Sequence, residues 1–182
     1  GVARVVATDL DPRAIDCARE NLARLGLADR VEVVAADLFP EGRAGLVSFC
    51  RSYLTAADTD PVDALIRAFR AAGIAACGVF AASLKAPGFA DWLRPPLTAN
   101  PPLAVVNATA FSARGDDGAT PFDGADCPVF QVALSTARRR DWAASDRGLS
   151  PADLAMHVVL PEVDGRLFAG LVSFKSPGRK DP

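Results

Sequence analysis

The residues best suited to chemistry cluster in the run MHVVLPEVDGR, where His157, Glu162 and Asp164 fall within eight positions and His157 is the chain's one histidine. Imidazole and carboxylate offer the nitrogen and oxygen ligands that a borderline divalent cation accepts. A carboxylate can also take protons from a substrate as a general base. Simpler roles compete with these. A lone histidine ahead of an apolar run is commonly a hydrogen-bonded core residue, and Asp164-Gly165 is a common turn pair.

A second group of polar residues stands at the ends of apolar runs: Arg51 and Ser52, Ser83 and Lys85, Asn107 and Thr109. These would suit a ligand bearing carboxylates, with arginine the better bidentate partner. Solvated strand ends and helix caps explain the same pattern. Two further carboxylates, Asp9 and Asp37, close the first two β-branched runs of the chain.

The elements that would position these residues alternate short β-branched runs with helical patterns, the mark of an α/β protein with a largely parallel sheet. Strands are expected at 4–8, 31–35, 46–50, 75–81, 103–108, 129–134, 158–160 and 167–174. Asp11-Pro12 opens a helix that Gly26 stops, and Asp60-Pro61 caps one with Val62, Leu65, Ile66 and Phe69 on its apolar face, ended by Gly73. Shorter helices are expected at 88–93 and 138–144, and another starting at Ser150-Pro151. Ser112 to Asp126, rich in Gly and Asp, reads as a loop, and Arg179 to Pro182 as a frayed polar end. If 158–160 is a strand, the following turn presents Glu162 and Asp164 at its carboxyl end, where open α/β sheets place ligands.

Twenty basic residues against twenty-two acidic ones give a net charge of −2. That balance argues against nucleic acid or a membrane surface as partner, since either wants a basic excess. The longest nearly unbroken apolar run, Ala71 to Leu84, is too short to span a bilayer. With no signal peptide legible, a cytoplasmic setting is the expectation. Cys17, Cys50, Cys77 and Cys127 form no C-x-x-C pair and read as reduced, mostly buried residues. Arg138 to Arg140 read as a solvated helix start that could dock a partner, and Trp142 as core. A chain opening on Gly1 rather than methionine is expected to be part of a longer one.

Two resemblances follow from these runs. VVATDLDPRAIDCARENLARLGLADRVEVVAADLF resembles the middle of a class I methyltransferase that uses S-adenosylmethionine. The resemblance implies that Asp9 accepts hydrogen bonds from the ribose hydroxyls and that Asp37 contacts the adenine amino group. The glycine-rich cofactor loop of that family is missing from this sequence. Asn100-Pro101-Pro102 spells the start of the amino-methylating motif, but 63 residues beyond Asp37 and before Leu103, so it reads as a Pro-Pro turn leading into a strand.

From Leu46 the series VSFCRSYLTAADTDPVDALIRAFRAAGI, VFAASLKAP, VVNATAFSA, PVFQVALS and WAASDRGLSPADLAMHVVLPEVDGRLFAGLVSFK resembles the large, tetrapyrrole-binding subunit of cobaltochelatase, with the related magnesium chelatase H subunit. This implies a ligase forming nitrogen–metal bonds, which inserts Co2+ into hydrogenobyrinic acid a,c-diamide in cobalamin biosynthesis. It also implies AAA+-type ATPase subunits as partners. In agreement, no G-x-x-x-x-G-K-[ST] phosphate loop occurs in the sequence, so ATP would act through those partners. Insertion removes two pyrrole N–H protons and hands over a hydrated cation. On that chemistry Glu162 is the expected base or metal-handling carboxylate, His157 a transient metal ligand beside it, and Asp164 a third catalytic candidate. Arg51, Ser83, Lys85 and Asn107 are the expected ring-binding donors.

The fold expected is α/β, with largely parallel sheets, helices on both faces, and Rossmann-like or flavodoxin-like units. Residues 1–44 would form a partial methyltransferase-like β-α-β segment and 45–182 a chelatase-like domain portion, joined at the Pro40 to Gly45 turn. That junction suggests a fused, recombined or misassembled reading frame, and the chain alone is expected to be inactive. Two other classes stay open: a methyltransferase segment, with S-adenosylmethionine as its cofactor, and a non-catalytic binding module.

Overall fold

A computed structural model describes residues 5–9, 12–24, 26, 28–29, 31–35, 44–56 and 58–175. Asp37, positions 40–43 of the expected junction and the polar end at 179–182 lie outside the described residues.

The first unit is β1 (Val5–Asp9), α1 (Pro12–Arg24) and β2 (Val31–Ala35), with the strands parallel and Val5 level with Val31. Helix α1 starts at the proline and ends just ahead of Gly26, which adopts a φ of 66°. Asp9 is the last residue of β1.

The main sheet has five parallel strands in the order β4-β3-β5-β6-β7. They are β3 (Gly45–Cys50), β4 (Ala76–Ala81), β5 (Ala104–Asn107), β6 (Val129–Ser135) and β7 (Leu167–Phe174). Counted from its own first strand this is the order 2-1-3-4-5 of flavodoxin-like sheets, with the reversal between β3 and β5. Along β3 successive side chains point to opposite faces. Leu46 packs with Leu93, Leu97, Val105 and Phe122 on one side, while Val47 and Phe49 pack with Val62 and Val132 on the other. Both faces are covered at the inner strands β3, β5 and β6, which is why these read as near-continuous apolar runs, whereas the edge strand β7 is largely exposed.

Helices α2 (Arg51–Thr55) and α3 (Asp60–Ala71) follow β3, and Leu65, Ile66 and Phe69 of α3 pack on the second cluster. The residue capping α3 is Thr59, with Asp60 already inside the helix; Thr59 Oγ1 donates to the Asp63 carboxylate at 3.1 Å. Helix α4 (Phe89–Ala99) runs six residues beyond its expected end, straight through Pro95-Pro96. An interior proline costs about 3 kcal/mol. Leu93 and Leu97, one turn apart and both fully buried, recover roughly 1.5–3 kcal/mol each. Asn100 then caps α4 and Pro101-Pro102 lead into β5, as the turn reading expected.

The larger difference lies between β6 and β7. After α5 (Arg139–Ala143), residues 151–163 form one continuous helical segment in place of the expected strand at 158–160. It comprises α6 (Pro151–Leu154), a π-helical stretch (Ala155–Val159) and α7 (Leu160–Val163). The β-branched pair Val158-Val159 favours a strand locally. Two non-local facts override it: Ser150 Oγ accepts from the Asp153 amide and caps the segment, and Asp153, His157 and Pro161, four apart, are all buried along it. The wider π turn is a local departure of the kind often found at special sites.

Candidate functional site

With 151–163 helical, the expected trio no longer sits at a strand's carboxyl end. It precedes the amino end of β7, and its members do not converge. His157 is 6% exposed on the π-helical stretch that packs against β6. Its Nδ1 has no hydrogen-bond partner among the described residues. Burial pushes the imidazole below its ordinary pKa and outweighs the opposing pull of the Asp153 carboxylate, so His157 is held neutral. Glu162 faces solvent.

The Asp164 side chain is fully buried and committed to architecture. Its oxygens accept from Ser112 Oγ at 2.6 Å, the Ala113 amide at 2.5 Å and Arg166 Nη2 at 2.6 Å. Burial alone would raise its pKa, but these donors and the arginine's charge hold it below the usual range. No three of His, Cys, Asp and Glu among the described residues are placed to hold a metal ion together.

Arg166 extends this pair into a buried polar network that sequence reasoning missed. Its Nη1 donates to Gln131 Oε1 at 2.8 Å and its Nη2 to the Phe111 carbonyl at 2.6 Å. Gln131 Oε1 also accepts from Asn107 Nδ2 at 2.7 Å, and Asn107 Oδ1 accepts from Ser48 Oγ at 2.6 Å and Thr109 Oγ1 at 3.0 Å. Asn107 is completely buried with both polar atoms engaged, so it is a bracing residue and has no group turned to a ligand. The network fastens the segment after β5, which has no helix or strand of its own up to Val129, to the middle of the sheet. Unbonded, these groups would each cost about 1–3 kcal/mol. The signal was present: Ser48, Asn107 and Gln131 interrupt apolar strands with polar side chains.

The same network holds Phe111 in a left-handed conformation, φ 70°, with its side chain 55% exposed. Its amide donates to the Met156 carbonyl at 2.8 Å while its carbonyl accepts from Arg166. Backbone held this way costs on the order of 1–3 kcal/mol and marks candidate ligand contacts.

A parallel network anchors the other end of the helical segment. Asp153 is fully buried and accepts from Ser135 Oγ at 2.7 Å and from the Thr136 amide and hydroxyl at 3.1 and 3.0 Å. Burial raises this carboxyl, but the hydrogen bonds from Ser135 and Thr136 prevail and keep it low.

Of the remaining expected donors, Arg51, Ser83 and Lys85 do gather at one place. Arg51 follows β3 and the other two follow its neighbour β4, so all three lie at the carboxyl edge of the sheet, exposed. Ser83 Oγ accepts from the Lys85 amide at 3.1 Å, a local turn. Trp142, expected in the core, is 38% exposed and packs at a tilt against Phe174, with ring centroids 5.3 Å apart and planes inclined by 58°. The cysteines are free but less buried than expected, with Cys17 exposed and the others half-buried. Burial pushes the Cys77 thiol up to about 11, leaving it unreactive.

The parallel sheet in the order 2-1-3-4-5, with helices on both faces, defines an α/β domain of the flavodoxin-like class. Residues 36–182 match the CobN/Magnesium Chelatase family. The chain belongs to that family. It is 40% identical over 147 residues to aerobic cobaltochelatase subunit CobN of Sinorhizobium sp, covering 79% of this chain and 12% of that protein. It also matches the catalytic subunit of cobaltochelatase from Mycobacterium tuberculosis with a TM-score of 0.63 and 30% identity, over 79% of this chain and 13% of that one. The chain thus spans about one eighth of these relatives. Over 47 residues the chain is also 47% identical to ribosomal protein L11 methyltransferase of Symbiobacterium thermophilum, covering 26% of this chain and 16% of that protein.

Proposed function

We propose that this chain is a segment of the tetrapyrrole-binding subunit of an ATP-dependent cobaltochelatase, the enzyme that inserts Co2+ into hydrogenobyrinic acid a,c-diamide. The observation that carries the reading is family membership over 147 of the 182 residues, together with the fold match to a cobaltochelatase catalytic subunit. On this reading ATP-hydrolysing partner subunits, which the family resemblance implies, would drive the reaction. No helix among the described residues is long and apolar enough to cross a membrane, and a cytoplasmic setting fits the reading.

On this proposal Arg51, Ser83 and Lys85 hold carboxylates of the ring at the carboxyl edge. His157 and Asp164 are assigned to the framework, since one is buried and the other fully bonded. Glu162 is the trio member left free to act as a base. It lies before β7, at the opposite end of the parallel strands from Arg51 and Lys85. At about 3.3 Å per residue a six-residue strand separates the two ends by roughly 20 Å. Glu162 would therefore serve only a ring that reaches the amino edge.

Cobalt insertion by the full-length subunit with its ATPase partners tests these roles. Arg51→Ala with Lys85→Ala should raise KM for the ring and leave kcat within about twofold, because these groups bind ring and transition state alike. An unchanged KM would remove both from the ring site. Glu162→Gln should spare ring binding and abolish insertion, and normal turnover would rule out Glu162 as the base.

The methyltransferase match supports a second, narrower reading. We infer that residues 1–44 derive from a methyltransferase β-α-β segment and 45–182 from the chelatase. Asp9 and Asp37 would then correspond to the ribose- and adenine-contacting carboxylates of an S-adenosylmethionine site. Sequencing the locus across Pro40 to Gly45 tests the origin of the junction. A single frame present in expressed protein would speak for a natural fusion.

A further inference from the structure

Four cations surround one open groove of about 630 Å3 beside the last strand: Arg138, Arg139, Arg140 and Lys175, with Val172 and Phe174 supplying apolar wall. The groove lies at the carboxyl ends of β6 and β7, the edge on which open parallel sheets bind ligands. Its volume falls within the roughly 300–1,000 Å3 usual for small-molecule sites. The Lys175 amide donates to the Ala137 carbonyl at 3.0 Å, which ties the strand end to the start of α5. Trp142, tilted against Phe174, adds a partly exposed indole next to this wall.

The charge here runs against both the whole chain and the local helix. The chain carries a net −2, yet these cations have only one ion-pair partner among the described residues, Asp141 at 3.1 Å from Arg140. Arginines in a helix's first turn are also at its unfavourable end. Like charges gathered this closely repel one another and raise the local potential for an anion. Guanidinium groups match carboxylates bidentately, while exposed Val172 and the Phe174–Trp142 pair suit a flat apolar body.

We propose that this groove binds an amphiphilic polycarboxylate, with apolar ring surface against Val172 and Phe174 and carboxylates on the arginines. The proposal rests on the chelatase reading for the ring's identity and on the groove's own charge and walls for its location. It makes the carboxyl edge beyond β6, as well as the β3–β4 end, part of the ring's docking face.

Coproporphyrin, with four carboxylates, and its tetramethyl ester are the probes, titrated against this chain by Soret absorbance and tryptophan quenching. Coproporphyrin should bind saturably, more weakly as salt rises, and the ester about tenfold or more weaker. Arg139→Glu with Arg140→Glu should weaken coproporphyrin by about tenfold or more and leave circular dichroism unchanged, since glutamates suit a first helical turn. Arg139→Lys with Arg140→Lys should retain most of the binding. Equal binding by wild type and the charge-reversed variant, or an acidic peptide displacing the ring with no ring-specific preference, would overturn the groove assignment. Failure of the chelatase reading is distinct: the wild-type full-length subunit would then insert no cobalt. If it inserts cobalt and the charge-reversed subunit keeps the same KM, the groove alone is refuted.

Discussion

The Asp164 carboxylate is committed to the loop after β5 and to Arg166, and it shows why residue type and spacing misled at this site. Acidic residues next to a histidine suggest ligands, but the pairing that occupies Asp164 comes from Ser112 and Ala113, some fifty positions earlier. Breaking the buried pair should be severe. Asp164→Asn should cost about 3–5 kcal/mol in urea unfolding, because Arg166 is left charged and buried. Replacing both, Asp164→Leu with Arg166→Met, should cost clearly less than the single change; a larger loss would contradict this account of the pair. His157 makes a prediction in pH. Its folded pKa is lowered from 6.5, so the unfolded chain takes up a proton first as the solution is acidified. Its contribution to stability is whole above about 6.5 and falls between there and the lowered folded value. Asp153 and Asp164, lowered from 3.8, contribute fully above that pH and lose their contribution as the pH drops toward their folded values. Urea midpoints from pH 7.5 to 3 should therefore fall in two windows, and His157→Gln should flatten only the upper one. An unaltered upper slope would mean that His157 is not the titrating group.

At the scale of elements, β3, β5, β6 and α3 were legible because covered parallel strands are near-continuous apolar runs and α3 has a regular stripe. What was not legible depended on contacts between distant elements. The segment 151–163 was half-read: its capping serine was visible, whereas the helical path through Val158-Val159 depends on burying Asp153, His157 and Pro161 along it. The length of α4 was hidden for the same reason, with Leu93 and Leu97 holding a helix that its prolines oppose. Ser150→Ala should destabilise by about 1 kcal/mol through the lost cap. Gly45 tests how closely α3 meets β3: a Cβ there would stand 2.6–2.8 Å from ring atoms of Phe69. Gly45→Ala should cost about 1–3 kcal/mol by overpacking, and Gly45→Ala with Phe69→Leu should recover part of it. A Gly45→Ala chain as stable as wild type would show that the ring moves away freely.

For the whole molecule, the family resemblance was carried by an ordered series of blocks, and family membership over 36–182 bears it out. The parallel sheet with helices on both faces agrees with it as well. The candidate site was legible in part: Arg51, Ser83 and Lys85 do share one sheet edge, while the trio near His157 became framework apart from Glu162. The central claim is that this chain derives its ligand chemistry from the chelatase portion. Calorimetric and absorbance titration with a carboxylated corrin precursor, in parallel with S-adenosylmethionine, tests it most directly. The account predicts saturable binding of the ring with a shifted absorbance band and no heat from S-adenosylmethionine. Heat from S-adenosylmethionine with no spectral change for the ring would contradict it.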